Sequence, residues 1–240
     1  MLFTGLNYSY EHNKNLQIIW DRNEKKRPKY FDSILSNFEK YVIEYYNNPV
    51  EIYNEGQFSY KKIPHTENNV VLYGYFQSSK YFPKIKNDIL DMLNFGNGQD
   101  TLIESIKSRG LTPVILHVRR TDYLQLPKYH PVQSIEYYKA GIDIIRKNIK
   151  NPYFLLISDD LSFLKNIPLG DHEKIIVDES DIKTMHLMSL CRYFIIANSS
   201  YSWWGANLGG YDLVVAPKNW FGSDGPQDWQ DIYEKDWIII

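Results

Sequence analysis

Cysteine is almost absent from this chain: Cys191 stands alone among 240 residues. No intrachain disulfide can form, which excludes the small, disulfide-stapled secreted folds. Its setting, "MHLMSLCRYF", reads as a helix running into a strand, so a buried and inert thiol is expected. Long hydrophobic runs are missing as well, and no apolar stretch approaches the length of a membrane span. The N-terminus lacks a basic segment ahead of an apolar one, so no signal peptide is expected. The chain is therefore expected in the cytoplasm or peripheral to a membrane. An excess of charge is also lacking. The 27 basic and 29 acidic residues leave a net charge of -2, which argues against a nucleic-acid partner held by bulk positive charge. Neither the phosphate loop "GxxxxGK[ST]" nor the dinucleotide fingerprint "GxGxxG" occurs, which counts against ATPases and dehydrogenases.

What remains is an ordinary globular composition, 43% hydrophobic and 23% charged, sufficient for a packed core. Tyrosine is abundant at 20 residues, beside 6 tryptophans. That surplus suits a sugar-handling cleft and a plain core equally well.

The second half has a rhythm. Strand candidates "TPVILHV", "PYFLLIS", "KIIVD", "YFIIANS" and "DLVVAPK" alternate with the helical stretches "PVQSIEYYKAGIDIIRKNIK", "DDLSFLKNI", "SDIKTMHLMSLCR" and "YSWWGANLG". The strands are continuously apolar rather than alternating, as in a parallel sheet covered on both faces. In the first half "LQIIW" and "NVVLYGYF" read as strands. Residues 78–95 read as a helix, with Ile85, Ile89, Met92 and Leu93 on one face. "TLIE" at 101–104 opens another helix as a capping box, and Gly110 can end it. "FGNGQD" at 95–100 reads as a loop. Two α/β lobes are expected, residues 1–110 and 111–240.

The polar residues fall in a pattern. The first strand of the second half delivers His117, Arg119, Arg120 and Asp122. The next delivers Ser158, Asp159 and Asp160; "FIIA" is followed by Asn198, Ser199, Ser200 and Ser202; "LVVA" by Lys218 and Asn219. All lie at strand C-termini, the edge where open parallel sheets bind ligands. Arginines at 119 and 120 offer forked donors for a phosphate or diphosphate. "NSSYS" opens a helix whose N–H groups and hydroxyls form a second anion site. Asp159 or Asp160 can accept from ribose hydroxyls or from the N–H edge of a guanine. Taken singly, each group has a plainer role: an ion pair, a helix cap, or core packing for Trp203 and Trp204. Their convergence on one edge points to a nucleotide-diphosphate pocket.

"HVRRTDYL", "LMSLCRYFIIANSSYSWWGANLG" and "VVAPKNWF", with "LYGYFQSSKYF" at 72–82, resemble glycosyltransferase family 11, the α-1,2-fucosyltransferases. The likeness runs from about Tyr73 to Phe221. It implies a GT-B-like α/β fold of two Rossmann-like lobes with a cleft between them, the C-terminal lobe carrying a parallel sheet and the nucleotide-sugar. It implies GDP-fucose as donor, inversion at the anomeric carbon, and no metal or other cofactor, the arginines supplying the counter-charge. The acceptor it implies is a glycan, a terminal β-galactoside, taken by the N-terminal lobe. Arg119 takes the family's diphosphate-gripping catalytic role. His117 and Arg120 join it in donor binding with Asp159, Asn198, Ser199, Ser200 and Ser202; Asp122, Trp203 and Trp204 orient or pack. The catalytic base stays unnamed. In one respect the chain departs from the family, whose members open on a strand and a "GGLGNQ"-like loop, whereas this sequence opens at "MLFTGLNYSYEHNKN", inside the following helix. The loop is expected to be missing. The alternatives are an inactive homologue that still binds nucleotide or sugar, and a transferase of another GDP-sugar.

Overall fold

A computed structural model describes residues 1–20, 30–96 and 101–240. It divides into two compact units, Met1–Gly96 with Asp228–Ile232, and Asn97–Gln227 with Tyr233–Ile240. The division falls ahead of residue 110, so the helix that Gly110 follows goes with the second unit.

The first unit opens with helix α1 (Leu2–His12) and carries two separate parallel ladders. In one, β1 (Ile18–Ile19) pairs with β2 (Val42–Ile43); in the other, β3 (Glu51–Asn54) pairs with β4 (Val70–Tyr73). The returning segment is fastened by its carboxylates. Asp228 accepts from the Ser59 N–H at 3.0 Å, and Asp231 accepts from the Tyr60 N–H at 2.7 Å and pairs with Lys80. The helix expected over 78–95 does not form. A 3-10 turn at Ser79–Tyr81 is followed only by the single turn α2 (Ile89–Met92). Pro83 accounts for the break after Tyr81, because its ring disfavours helical backbone in the preceding residue; Phe82 sits at φ -141°, ψ 48°. Ile85 and Ile89 are buried nonetheless. Of the expected 95–100 loop, residues 97–100 lie outside the described residues.

The second unit follows the sequence pattern closely. Its elements are α3 (Thr101–Ser108), β5 (Thr112–Val118), α4 (Ile135–Asn148), β6 (Pro152–Ser158), β7 (Lys174–Ile176), α5 (Asp181–Ser189), β8 (Tyr193–Ile195), α6 (Ser200–Leu208), β9 (Leu213–Ala216) and β10 (Ile238–Ile239). Residues 161–166 form a 3-10 helix rather than an α-helix. After α3, Gly110 takes φ +70°, a left-handed conformation that suits glycine at a helix end. The six strands form one wholly parallel sheet in the order β10-β9-β8-β5-β6-β7. Numbered from β5, this is the doubly wound order 3-2-1-4-5-6.

Burial explains the apolar runs. Val114, Ile115 and Leu116 on β5, with Phe154, Leu155 and Leu156 on β6, are all fully buried, so both sheet faces are covered. On one face α4 packs Tyr138, Ile142 and Ile145 against Val114, Leu116 and Phe154. Each such aliphatic side chain stabilises the fold by about 1.5–3 kcal/mol relative to exposure. Helices α5 and α6 approach closely at Gly205, where a Cβ would lie 2.2 Å from Met188 Sδ. The sheet reverses direction of growth between β5 and β8. Ligands of such sheets bind outside the strand C-termini at that reversal.

Candidate donor site

The chain leaves β5 at Val118 and turns at once. Strands β5 and β6 pair residue for residue, from Thr112↔Pro152 to Val118↔Ser158, so Asp159 emerges beside the start of the turn. Its carboxylate accepts from the Arg120 N–H at 2.9 Å, the Thr121 N–H at 3.0 Å and the Thr121 hydroxyl. It also lies 3.3 Å from Arg119 Nε. Both Asp159 oxygens thus hold the turn that carries the two arginines.

The arginines diverge. Arg120 Nε meets Asp160 at 3.2 Å, and its guanidinium lies 3.8 Å from the Phe163 ring centroid. Asp160 meanwhile caps the 3-10 helix, accepting from the Phe163 N–H at 3.2 Å. Arg119 is one third exposed, and its Nη2 donates to Asp122 at 2.9 Å. Asp122 is itself 58% exposed, so an incoming anion can displace it at small cost. Burial works against the Arg119 charge. The hydrogen bond to Asp122 and the charges of Asp159 and Asp122 outweigh it and hold its pKa above the usual value. Arg119 is a permanent cation.

His117, the penultimate residue of β5, is buried, and its Nδ1 has no hydrogen-bond partner. Burial, then the neighbouring Arg119 charge, lowers its pKa to about 4, against the opposing pull of Asp159. The imidazole is neutral at physiological pH. Its ring lies 5.7 Å from that of Tyr201 on α6.

Across the sheet reversal, the groups after β8 look mostly inward. Asn198 donates to the Trp220 carbonyl at 3.0 Å and accepts from Gln133 at 2.9 Å. The Ser202 hydroxyl donates back to the carbonyls of Ala197 and Ser199, at 3.1 and 3.3 Å. Ser199 caps α6, accepting from the Tyr201 N–H at 3.3 Å. Ser200, the first residue of α6, is exposed. Trp203 is fully buried and meets Trp204 edge to face, with centroids 4.9 Å apart. Replacing the cap, Ser199→Ala, should cost about 1 kcal/mol and lower the thermal midpoint by about 2–4 °C. Differential scanning calorimetry checks this, and an unchanged midpoint would remove the cap assignment.

Two residues of this region were not picked out by sequence reasoning. Tyr123, inside "HVRRTDYL", is buried and donates to the Asn198 carbonyl at 2.8 Å, tying the turn after β5 to the end of β8. Burial pushes its pKa up to about 12, so the hydroxyl stays protonated and donating. His130 stacks on Tyr123, with centroids 4.5 Å apart and planes 13° from parallel. The first carried a signal, its place in the motif; the second sits in a loop without periodicity. Among the described residues no group of three or more His, Cys, Asp or Glu side chains is arranged to hold a metal ion. None of their helices is long and apolar enough to cross a membrane.

The model of the family described as Glycosyl transferase family 11 matches residues 14–240. The O-antigen biosynthesis glycosyltransferase WbnK of Escherichia coli is 30% identical over 174 residues, covering 66% of this chain and 57% of that protein. An alpha-1,2-colitosyltransferase of Escherichia coli is 32% identical over 197 residues, covering 77% of this chain and 67% of that one. The chain thus spans roughly three fifths to two thirds of the length of these curated relatives. Among solved structures, a crystal structure of NodZ alpha-1,6-fucosyltransferase soaked with GDP-fucose aligns with a TM-score of 0.36 at 14% identity. That alignment covers 61% of this chain and 54% of the other.

Proposed function

Because this chain belongs to glycosyl transferase family 11, we propose that it transfers fucose from GDP-fucose to a hydroxyl of a terminal β-galactoside, forming an α-1,2 linkage with inversion. The donor is assigned to the second unit and the acceptor to the first, and neither a metal nor an organic cofactor takes part. The observation that carries this reading is Arg119. A permanent cation, one third exposed, stands at the C-terminal end of β5 where the sheet reverses, its outward partner a readily displaced carboxylate.

The acceptor hydroxyl oxygen attacks the anomeric carbon on the face opposite the diphosphate, and its proton passes to water as the new bond forms. The bond from that carbon to the β-phosphate oxygen breaks, and its electron pair stays on that oxygen. Arg119 meets the growing charge with donors already in place, which lowers the barrier because little reorganisation is needed. The neutral His117 adds no charge to the site. Asp159 keeps the turn, and with it Arg119, in register. A second reading, transfer of colitose from its nucleotide-activated form, is favoured by the 32% identity to the colitosyltransferase.

Calorimetry in excess chelator tests the donor half. GDP should bind without added metal and in preference to UDP. Loss of binding in chelator, or equal competition by UDP, would sink the donor assignment. Incubation of GDP-fucose, and separately of a colitosyl donor, with a panel of β-galactosides decides the sugar. GDP binding without transfer to any acceptor would instead favour a binding module.

A further inference from the structure

The Arg119 guanidinium carbon lies 5.6 Å from the centroid of the Tyr123 ring, and His130 stacks on that ring. Tyr129 meets His130 edge-on at 4.7 Å, and Phe221 lies 5.7 Å from it. The hydroxyl of Tyr123 is fixed on Asn198, so the ring cannot slide away from the arginine without breaking a buried bond. His130 Nδ1 is buried and has no hydrogen-bond partner. Guanidinium, phenol and imidazole are therefore linked in one aromatic column.

We propose that Tyr123 and His130 are positioning residues for Arg119, and that an uncharged aromatic ring at position 130 is required to hold the guanidinium ready for a diphosphate. A guanidinium is drawn to the electron-rich face of an aromatic ring, and stacking on His130 fixes the tilt of that face. The charged groups facing His130 are Asp122 and Arg119, and its ring neighbours are Tyr123, Tyr129 and Phe221. Protonation would place a second cation beside Arg119 and offer Asp122 a competing partner, loosening the Arg119–Asp122 pair. Burial first, then the Arg119 charge, holds the His130 pKa below its usual value, against Asp122. The neutral form is the one present at physiological pH and is lost only as the pH falls.

The inference rests on Arg119 meeting a nucleotide diphosphate. Its test is GDP affinity of the full chain, measured in chelator between about pH 5 and 8, the range in which histidine titrates, for wild type, His130→Ala and His130→Phe. His130→Ala should weaken GDP binding roughly tenfold at the alkaline end, about 1.4 kcal/mol. His130→Phe should recover most of that loss, because it restores a stacking ring. It should also lack the extra weakening that wild type shows on acidification. The titration of GDP itself is common to all three and cancels. A merely structural His130 would shift the thermal midpoint in both variants and leave the pH profile of affinity as in wild type; that outcome overturns the proposal and leaves the donor assignment standing. Failure of wild type to bind GDP overturns both. If His130→Ala does not fold, His130→Phe decides alone, since it keeps the stack and is read by its acid limb.

Discussion

Arg119→Lys should lower sugar transfer by roughly one to two orders of magnitude while GDP affinity falls less. In the structure Arg119 bridges two carboxylates, with Nε 3.3 Å from Asp159 and Nη2 2.9 Å from Asp122. The forked guanidinium can keep Asp159 while exchanging Asp122 for phosphate oxygens. A single ammonium cannot span both sides, nor make a bidentate contact with phosphate. A charge-assisted hydrogen bond is worth about 1.5–3 kcal/mol, at about 1.4 kcal/mol per tenfold in rate. The contact tightens as charge grows on the leaving oxygen, so turnover carries most of the loss. Ground-state GDP already bears its charge, and lysine still attracts it. The rival reading makes Arg119 a structural partner of Asp122. The Asp122 side of that pair is exposed, and pairs open to solvent contribute about 0–1 kcal/mol. It therefore predicts a small fall in thermal midpoint with normal turnover of the folded fraction. Turnover, GDP affinity and midpoint measured on one preparation separate the two, and a folded variant with normal turnover rules out the phosphate role.

Asp159→Asn should unfold the protein earlier and weaken GDP without changing the preference among bases. The carboxylate accepts from two backbone N–H groups and a hydroxyl, and is paired with Arg119. An asparagine has one accepting oxygen, and its amide nitrogen would face a donor. At least one N–H of the turn loses its partner, and the ion pair is lost. Leaving the part-buried Arg120 N–H without its partner costs about 1 kcal/mol, the low end of the range, because the Thr121 groups are exposed and can turn to water. With the lost ion pair, a total of roughly 1–2 kcal/mol corresponds to a fall in midpoint of roughly 2–8 °C for a chain of this size. GDP and UDP should weaken together, by roughly tenfold each, about 1.4 kcal/mol. If Asp159 instead reads the guanine edge, stability would hold and the GDP:UDP ratio would collapse. Differential scanning calorimetry beside nucleotide titrations distinguishes the outcomes.

The sheet of the second unit was legible because its strands are buried on both faces. Runs such as Val114–Leu116 and Phe154–Leu156 have no solvent side, so they appear as unbroken apolar stretches. The position of the candidate site was legible for a related reason: polar groups at the C-termini of apolar strands have nowhere else to go. Hydrogen-bond partners were not legible. Sequence alone does not say that Asn198 faces Gln133 and Trp220, or that Ser202 bonds back to Ala197, because those pairings depend on which loops the fold brings together. In the first unit, isoleucine spacing over 78–95 imitated one helix, which Pro83 interrupts at Phe82. His130 was hidden for want of any pattern, lying in a loop ordered by contacts that spacing does not show, among them its stack on Tyr123 and the bond from its backbone N–H to the Leu126 carbonyl at 2.8 Å.

The residue-for-residue ladder between β5 and β6 has a consequence for which changes of length the chain can absorb. Asp159 reaches the arginine turn because Ser158 pairs with Val118. Residues added or removed in the short joint between α4 and β6 leave that pairing intact, whereas the loop before α4 carries the arginine turn, Tyr123 and His130 themselves. One residue added within 152–158 is different. Side chains alternate faces along a strand, so the addition moves each shifted residue to the opposite face, and either the core or the carboxylate is displaced. Divergent copies of this chain should vary in the length of the joint after α4 while keeping β6 at constant length up to Asp159. The strand acts as a ruler for the arginine turn, with its zero mark at the far end of the sheet.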